Sequence, residues 1–406
     1  MTLDIDTIRS HFPAFSEPAL EGQTFFDSAA GSYACSFVID RLERFYRERK
    51  VQPYEPHKAS QLAGAEMDEA RQRLAAMMGV ETDEVSFGPS TTQNTYVLAQ
   101  AFREWLTPGD AIVVSNQDHE ANAGVWRKLA KHGVEVREWR LDPETGYLDP
   151  EALKPLLKGA KLLCFPHCSN VVAEINDVAA ITQLAHDEGV YVCVDGVSYA
   201  PHGIPDVGTL GPDIYLFSSY KTYGPHQGIM VIRRELGETL PNQAHYFNGD
   251  TLYKRFTPAG PDHAQVAACA GMADYCDALY ASLGLPEADA RGRSNAVHDA
   301  MRAREVSLLQ PLLDYVASRN TLRVIGPTNA TRRAPTVAVV ADRPGAELAT
   351  ELAKKGIMCS GGDFYAVRPL EAMGVDLNHG ALRLSFTHYT TEDEVERLIK
   401  ALHTVL

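Results

Sequence analysis

One lysine stands where stability alone would not put it. An apolar run, 214–217, passes through small hydroxyl residues to Lys221, and a Tyr-Gly-Pro turn then leads into a second apolar run, 228–232. Burying an ammonium costs several kcal/mol unless the group is paired or its pKa falls. A lysine desolvated in this way becomes a nucleophilic amine able to form a Schiff base. The plain alternative is a solvated lysine at a strand end. A second run, Val-Tyr-Val-Cys-Val at 190–194, has the continuous apolar character of a strand covered on both faces, and it ends in Asp195-Gly196. A carboxylate there lies at the edge where open α/β sheets take ligands.

A Schiff-base lysine downstream of a strand-end aspartate suggests pyridoxal 5′-phosphate (PLP), with the lysine at the aldehyde carbon and the aspartate at the pyridine nitrogen. Three further stretches add to this. Ser90-Thr91-Thr92-Gln93 follows a strand and opens a helix. The free N–H groups of such an end suit a phosphate, although serine and threonine also serve as ordinary helix caps. His119, in Asp118-His119-Glu120, follows the strand 111–114 and so shares the sheet edge of Asp195, unless it only closes a surface turn. Arg383 is a charge inside the apolar strand Ala-Leu-Arg-Leu-Ser, which calls for a carboxylate or phosphate partner, or else a structural ion pair.

Taken together, these motifs resemble the class V aminotransferase family of fold type I PLP enzymes. The likeness is to the subgroup of cysteine desulfurases and selenocysteine lyases. It runs from Phe25-Phe26-Asp27-Ser28-Ala29-Ala30 to beyond Arg383. It implies catalytic roles for Lys221, His119 and Asp195, with the His119 imidazole stacked on the cofactor ring. It implies phosphate contacts from Thr91, Thr92, Ser218 and Tyr220, where Tyr220 replaces the family's histidine. Asn170 and Ser198 are implied at the cofactor's 3′-oxygen, with Ser198 in place of a glutamine. Arg383 is the implied anchor of the substrate α-carboxylate, with Asn170, Ala29 and Tyr365 also at the substrate. A homodimer is implied too, but Gly260 stands where many relatives donate a threonine to the partner's phosphate site.

The segment 357–368 departs most from the resemblance. Desulfurases carry there the cysteine that takes up sulfur, and Tyr365 occupies its place, while Cys359 lies on the entering strand. Asp363 and Tyr365 are left as acid or base groups, or as residues that only shape the pocket. The expected function is a PLP-dependent enzyme that binds a small amino acid as a Schiff base and removes its α-proton. The favoured outcome is a desulfurase-like C–S or C–Se lyase without an enzyme persulfide. An aminotransferase or an epimerase uses the same core residues. A non-catalytic PLP-binding carrier or regulator is the reading of a different class, and a carboxylate anchor beside a proton shuttle speaks against it.

The elements that must position these residues alternate along the chain. Strands are predicted at 84–87, 111–115, 134–139, 161–165, 191–194, 214–217 and 229–232, with helices at 92–105, 121–132, 149–157 and 178–188 between them. Helices precede them at 37–49 and 61–78. This order predicts an α/β fold with a large, mostly parallel seven-stranded sheet and helices on both faces. After residue 256, long helices at about 263–283 and 286–318 lead to short strands near 321–325, 335–340, 357 and 381–385, with helices at 345–355 and 391–405. That is a smaller α+β domain, so the expected division is 20–262 for the large domain and 1–19 with 263–406 for the small one.

Composition limits the alternatives. The 406 residues suffice for a large core. With 38 Lys+Arg against 53 Asp+Glu, the net charge of −15 argues against nucleic acid or an anionic membrane as the main partner. The 7 cysteines are dispersed, with no C-x-x-C pair, so free thiols in a reducing cytoplasm and no metal site are expected. No apolar signal core or membrane-length apolar run is present, which adds to the expectation of a cytoplasmic protein.

Overall fold

The structure, a computed structural model, describes residues 3–406. Strands β1 (Thr24–Phe25), β2 (Val85–Gly88), β3 (Ala111–Ser115), β4 (Glu135–Trp139), β5 (Ala160–Pro166), β6 (Tyr191–Asp195), β7 (Ile214–Ser218) and β8 (Gly228–Ile232) come first in the chain. The last seven form one sheet in the order β2-β8-β7-β6-β5-β3-β4. Only β8 runs against its neighbours; every other pairing is parallel.

The apolar runs are buried on both faces because alternate residues feed two cores. Val113, Leu163, Val192, Val194, Tyr215 and Phe217 join one core. Ile112, Val114, Leu162, Cys164, Leu216 and Ile214 join the other, under the helices Thr91–Trp105 and Glu120–Arg127. The strand order reverses between β3 and β5, which opens a crevice beyond their carboxyl ends.

Strands β9 (Arg323–Val324), β10 (Thr336–Val340), β11 (Ile357–Met358), β12 (Ser360–Gly362) and β13 (Ala381–Ser385) follow. Four of them form an antiparallel sheet in the order β12-β13-β10-β9, and β11 pairs in parallel with β1. This sheet packs on the helices Gly345–Ala353 and Glu392–Val405 and on the far half of Ala290–Ala317. The N-terminal helix Ile5–Ser10 is tied to the last helix by Arg9 and Glu394, 2.9 Å apart. That last helix opens on a capping box made by Thr391 and Glu394.

The expected fold class is the one observed, and the differences are local. The helix expected at 263–283 is two, His263–Ala268 and Ala270–Ser282, meeting at Cys269. The next helix starts at Ala290 rather than 286, because the Asp289 side chain accepts the Gly292 N–H and caps it there. The helix expected from 61 begins at Lys58, with the His57 side chain accepting from the Ser60 N–H. Strand β12 was not foreseen. It includes Gly361, whose backbone lies so close to the helix start at Gly345 that a Cβ would sit 2.1 Å from the Gly345 carbonyl carbon. Glycine is needed there for contact, and it carries no hydrophobic pattern.

Candidate active site

The carboxyl ends of β3, β5, β6 and β7 open into one cavity of about 700 Å³. Ala29, Thr91, Thr92, His119, Asn170, Asp195, Ser198, Ser218, Tyr220, Lys221, Tyr365 and Arg383 all line it, whereas Asp363 does not. Residues spread over most of the chain meet because strand ends bring in most of them, and β13 together with the segment after β12 supplies the rest.

Lys221 lies in the short 3-10 turn that follows β7. Its ammonium is desolvated and faces the Arg383 charge, which pulls its pKa down to about 8; Asp195 and Asp27 act in the opposite direction. Asp195 ends β6 and is only 5% exposed. Burial raises its pKa to about 6, while the Val197 N–H, donating at 2.8 Å, and the Lys221 charge oppose that rise. The neighbouring Asp118 was not assigned a role from sequence. It is buried and held well above the usual carboxylate range by desolvation and by the Asp195 charge. It accepts from the His119 backbone N–H at 2.9 Å and from Asn122 Nδ2 at 2.6 Å, and so fixes the turn that carries His119.

His119 caps the helix Glu120–Arg127, its Nδ1 accepting from the Ala121 N–H at 3.0 Å. Its remaining proton therefore sits on Nε2. Burial and the Lys221 and Arg383 charges lower its pKa to about 4, so the ring is neutral. It offers the cavity an uncharged aromatic face, and its Nδ1 is not free to act as a base.

At the other end, Thr91 Oγ1 and Ser218 Oγ lie 2.8 Å apart where the helix Thr91–Trp105 begins. Gly228 lets β8 approach that helix start, since a Cβ there would come within 2.4 Å of the Ser90 carbonyl carbon. Thr92 is exposed at the same turn. Tyr220 is partly buried beside Ser218. Ser198, past the end of β6, is partly exposed.

The opposite wall comes from the small sheet. Arg383, 4% exposed, reaches Asp27 Oδ1 at 3.5 Å and the Asn170 carbonyl at 3.4 Å, and its guanidinium lies 4.2 Å from the centre of the Phe364 ring. Both contacts are long, and its Nε has no hydrogen-bond partner. Asp27 is shared, since Ser360 Oγ donates to its other oxygen at 2.5 Å. The ion pair that sequence left as an alternative is thus present but weak. Asn170 Nδ2 donates to the Phe364 carbonyl at 2.9 Å, while its buried Oδ1 has no partner.

Phe364 and Tyr365 both adopt left-handed backbone, with φ of 57° and 54°. Their carbonyls are held by Asn170 and by the Glu120 N–H, the latter at 2.9 Å. Tyr365 is 73% exposed, its ring centre 5.7 Å from that of His119. Asp363 accepts the Tyr365 N–H at 2.9 Å, so one oxygen of its carboxylate serves the turn. Sequence reasoning missed Asp27, Asp118, Ser360 and His226 as cavity or wall residues. Asp27 and Asp118 sat inside quoted motifs, but nothing marked His226, which meets the site only through the turn after Lys221.

Comparisons with known proteins identify the family. A family model described as aminotransferase class-V matches residues 24–398. An aminotransferase-like protein of Gibberella zeae is 30% identical over 419 residues, covering 100% of this chain and 99% of its own length. A cysteine desulfurase of Serratia proteamaculans is 30% identical over 426 residues, with 100% and 99% covered. Among solved structures, a cysteine desulfurase from Thermococcus onnurineus is similar with a TM-score of 0.86 at 24% identity, covering 100% of this chain and 98% of that one.

The donor set fits PLP. There is a half-buried, low-pKa amine for an aldehyde, a buried carboxylate for a ring nitrogen, and hydroxyls at a helix start for a phosphate. The unpartnered Asn170 Oδ1 leaves an acceptor for a hydroxyl proton. The chain belongs to the class V aminotransferase family and is a PLP-dependent enzyme.

Proposed function

We propose that the protein acts on a small amino acid, removing its α-proton and then its β-substituent as a desulfurase-like C–S or C–Se lyase, without an enzyme persulfide. The observation that carries this is Lys221, an amine with its pKa lowered to about 8, set between Asp195 and a buried arginine whose Nε has no partner.

When bound, PLP supplies an electrophilic carbon and a ring that stabilises negative charge at the substrate Cα. The chain's own residues do the rest. Arg383 takes the α-carboxylate, which offers the bidentate partner that Asp27 at 3.5 Å does not. Lys221 takes the α-proton, since a pKa near 8 leaves far more neutral amine at neutral pH than an ordinary lysine has. Asp195 holds the ring nitrogen, and a cationic partner there draws its carboxyl back towards the ionised form. His119 lies on the ring face, and Thr91, Thr92, Ser218 and Tyr220 receive the phosphate, with Asn170 and Ser198 at the 3′-oxygen. Ala29 and Tyr365 border the substrate.

The cysteines support the absence of a persulfide. Cys168 lines the cavity, but its thiol donates to the Ala173 carbonyl at 3.3 Å and burial pushes it up to about 12. Burial and the Asp27 charge push Cys359 up to about 12 as well. Neither supplies a thiolate near neutral pH.

An aminotransferase is the second reading, favoured by the aminotransferase-like relative. A homodimer and a cytoplasmic location belong to the same proposal. Tyr246 and Phe247, 91% and 67% exposed, support a partner surface. All seven cysteines are free. No described helix is long and apolar enough to cross a membrane.

The test is a single-turnover absorbance experiment without added keto acid, using cysteine, selenocysteine and alanine. Return of the cofactor to its starting spectrum with sulfide or selenide released is the expected result. Accumulation of pyridoxamine phosphate would establish transamination instead.

A further inference from the structure

The buried side chains at the phosphate end of the cavity, Thr91 and Ser218, carry no charge. Thr91, Thr92 and Ser218 are neutral donors. Arg383 belongs to the opposite wall with Asp27. Lys221 is the amine of the reaction, and Lys128 is an exposed cation whose ammonium donates to the Tyr96 hydroxyl at 2.5 Å. A phosphate group there depends on well-aimed hydrogen bonds.

Tyr220 is aimed by its surroundings. Its carbonyl accepts from Ser32 N at 3.2 Å and from Ser32 Oγ at 3.3 Å, which fixes the backbone. One side of the ring lies against Gly31, where an added Cβ would stand 3.6 Å from it. Its face stacks on the imidazole of His226, ring centres 4.7 Å apart and planes within 7°. Both side chains line the cavity. Tyr220 thus extends the row of hydroxyls begun by Thr91 and Ser218, and nothing else in its surroundings fixes the ring plane as closely as His226 does.

Resting on the PLP reading above, we propose that the stacked Tyr220–His226 pair is a phosphate clamp. In it Tyr220 donates its O–H to the phosphate, and His226 is a positioning residue that holds the phenol plane. Stacking supplies orientation without a bond to the ligand. The clamp lies within one chain and needs no residue from a partner.

The test compares affinities for PLP and for pyridoxal, which lacks the phosphate, in cofactor-stripped protein. Schiff-base formation with Lys221 is common to both, so the ratio of their Kd values isolates the phosphate contribution. Y220F should reduce the preference for PLP about tenfold, the value of one hydrogen bond to a charged group. H226A should do nearly the same, while H226F, which keeps a stacking ring, should stay within about twofold of wild type. The 31P resonance of bound PLP should move in Y220F and H226A but not in H226F. An unchanged ratio in Y220F, or equal weakening of both ligands in H226A, overturns the clamp. If H226A does not fold, H226L takes its place: it fills the space without an aromatic face and should lower the PLP preference as H226A would, and an unchanged ratio overturns the clamp. Wild-type protein that binds PLP no better than pyridoxal would overturn the PLP reading itself, a different outcome from a ratio that the variants fail to change.

Discussion

The two walls of the cavity are built differently. On the large-sheet wall, Asp195 and Ser218 end parallel strands, and His119, Asn170 and Lys221 follow shortly after such ends. Asp195, His119 and Ser218 have short partners, at 2.8 Å in Val197 N–H, 3.0 Å in Ala121 N–H and 2.8 Å in Thr91 Oγ1. On the small-sheet wall, Arg383 makes only contacts of 3.4 and 3.5 Å, and the adjoining turn runs through two left-handed aromatic residues. The first wall leaves an acceptor, Asn170 Oδ1, for a ligand to meet, whereas the second holds its guanidinium only by long contacts. A wall of strand ends suits a resident cofactor, and a wall with an under-bonded guanidinium suits a substrate that comes and goes.

The largest effect should come from the first wall. Lys221→Ala removes both the attachment of the cofactor and the proton acceptor. Turnover should fall by at least ~10³, within the range for losing a general base, and no borohydride-fixed adduct should form. A variant that kept the adduct would place the reactive amine elsewhere and dissolve the contrast between the walls.

Arg383→Met should behave differently. The cofactor should still bind, while kcat/KM falls by about 10² through lost carboxylate anchoring. It also tests the electrostatics. The Arg383 charge holds the Lys221 pKa down and Asp195 holds it up. Schiff-base formation with pyridoxal needs the neutral amine, so in cofactor-stripped wild type its rate should rise with pH through about 8. Arg383→Met should move that midpoint up, and Asp195→Asn should move it down. Shifts in one common direction would mean that the two charges do not act on Lys221 as their positions require.

The difference between the walls also governs how much could be read from sequence. Strand-end residues were legible because burial on both faces writes an unbroken apolar run, and the polar residue that ends it is conspicuous. Val190 to Asp195 and Ile214 to Lys221 are such cases. Arg383 was legible for the same reason. Contacts set by short loops left no such pattern. Ser360 and Gly361 carry no periodicity, and the stacking of His226 on Tyr220 depends on a turn geometry that residue types do not specify. The tautomer of His119 follows from a backbone N–H on its Nδ1, which no spacing reveals.

The cysteines give a third, smaller contrast. Neither Cys168 nor Cys359 should carry sulfur. Intact-mass measurement after turnover with cysteine should show no added sulfur, and Cys359→Ala should keep activity within about twofold, as expected for a small, partly buried residue without a thiolate. A persulfide on Cys359 would move the chemistry onto the small-sheet wall, and one on Cys168 would keep it on the large-sheet wall; either would overturn the persulfide-free reading.

Tyr365→Gly should have the smallest effect on the fold, and its sign is the informative part. At φ 54° a tyrosine pays a conformational penalty that glycine does not. Because the ring is 73% exposed, little burial is lost with it. In a rigid site the exchange should be neutral or stabilising by up to about 1 kcal/mol, set against the greater chain entropy of glycine in the unfolded state. The Tm should therefore hold or rise slightly. If Tyr365 borders the substrate as proposed, KM should rise while the cofactor spectrum stays unchanged, since the proposal gives its side chain no part in holding the cofactor. A clear fall in Tm would mean that the Tyr365 ring secures the turn through packing, and the turn would then belong with the rigid half of the site.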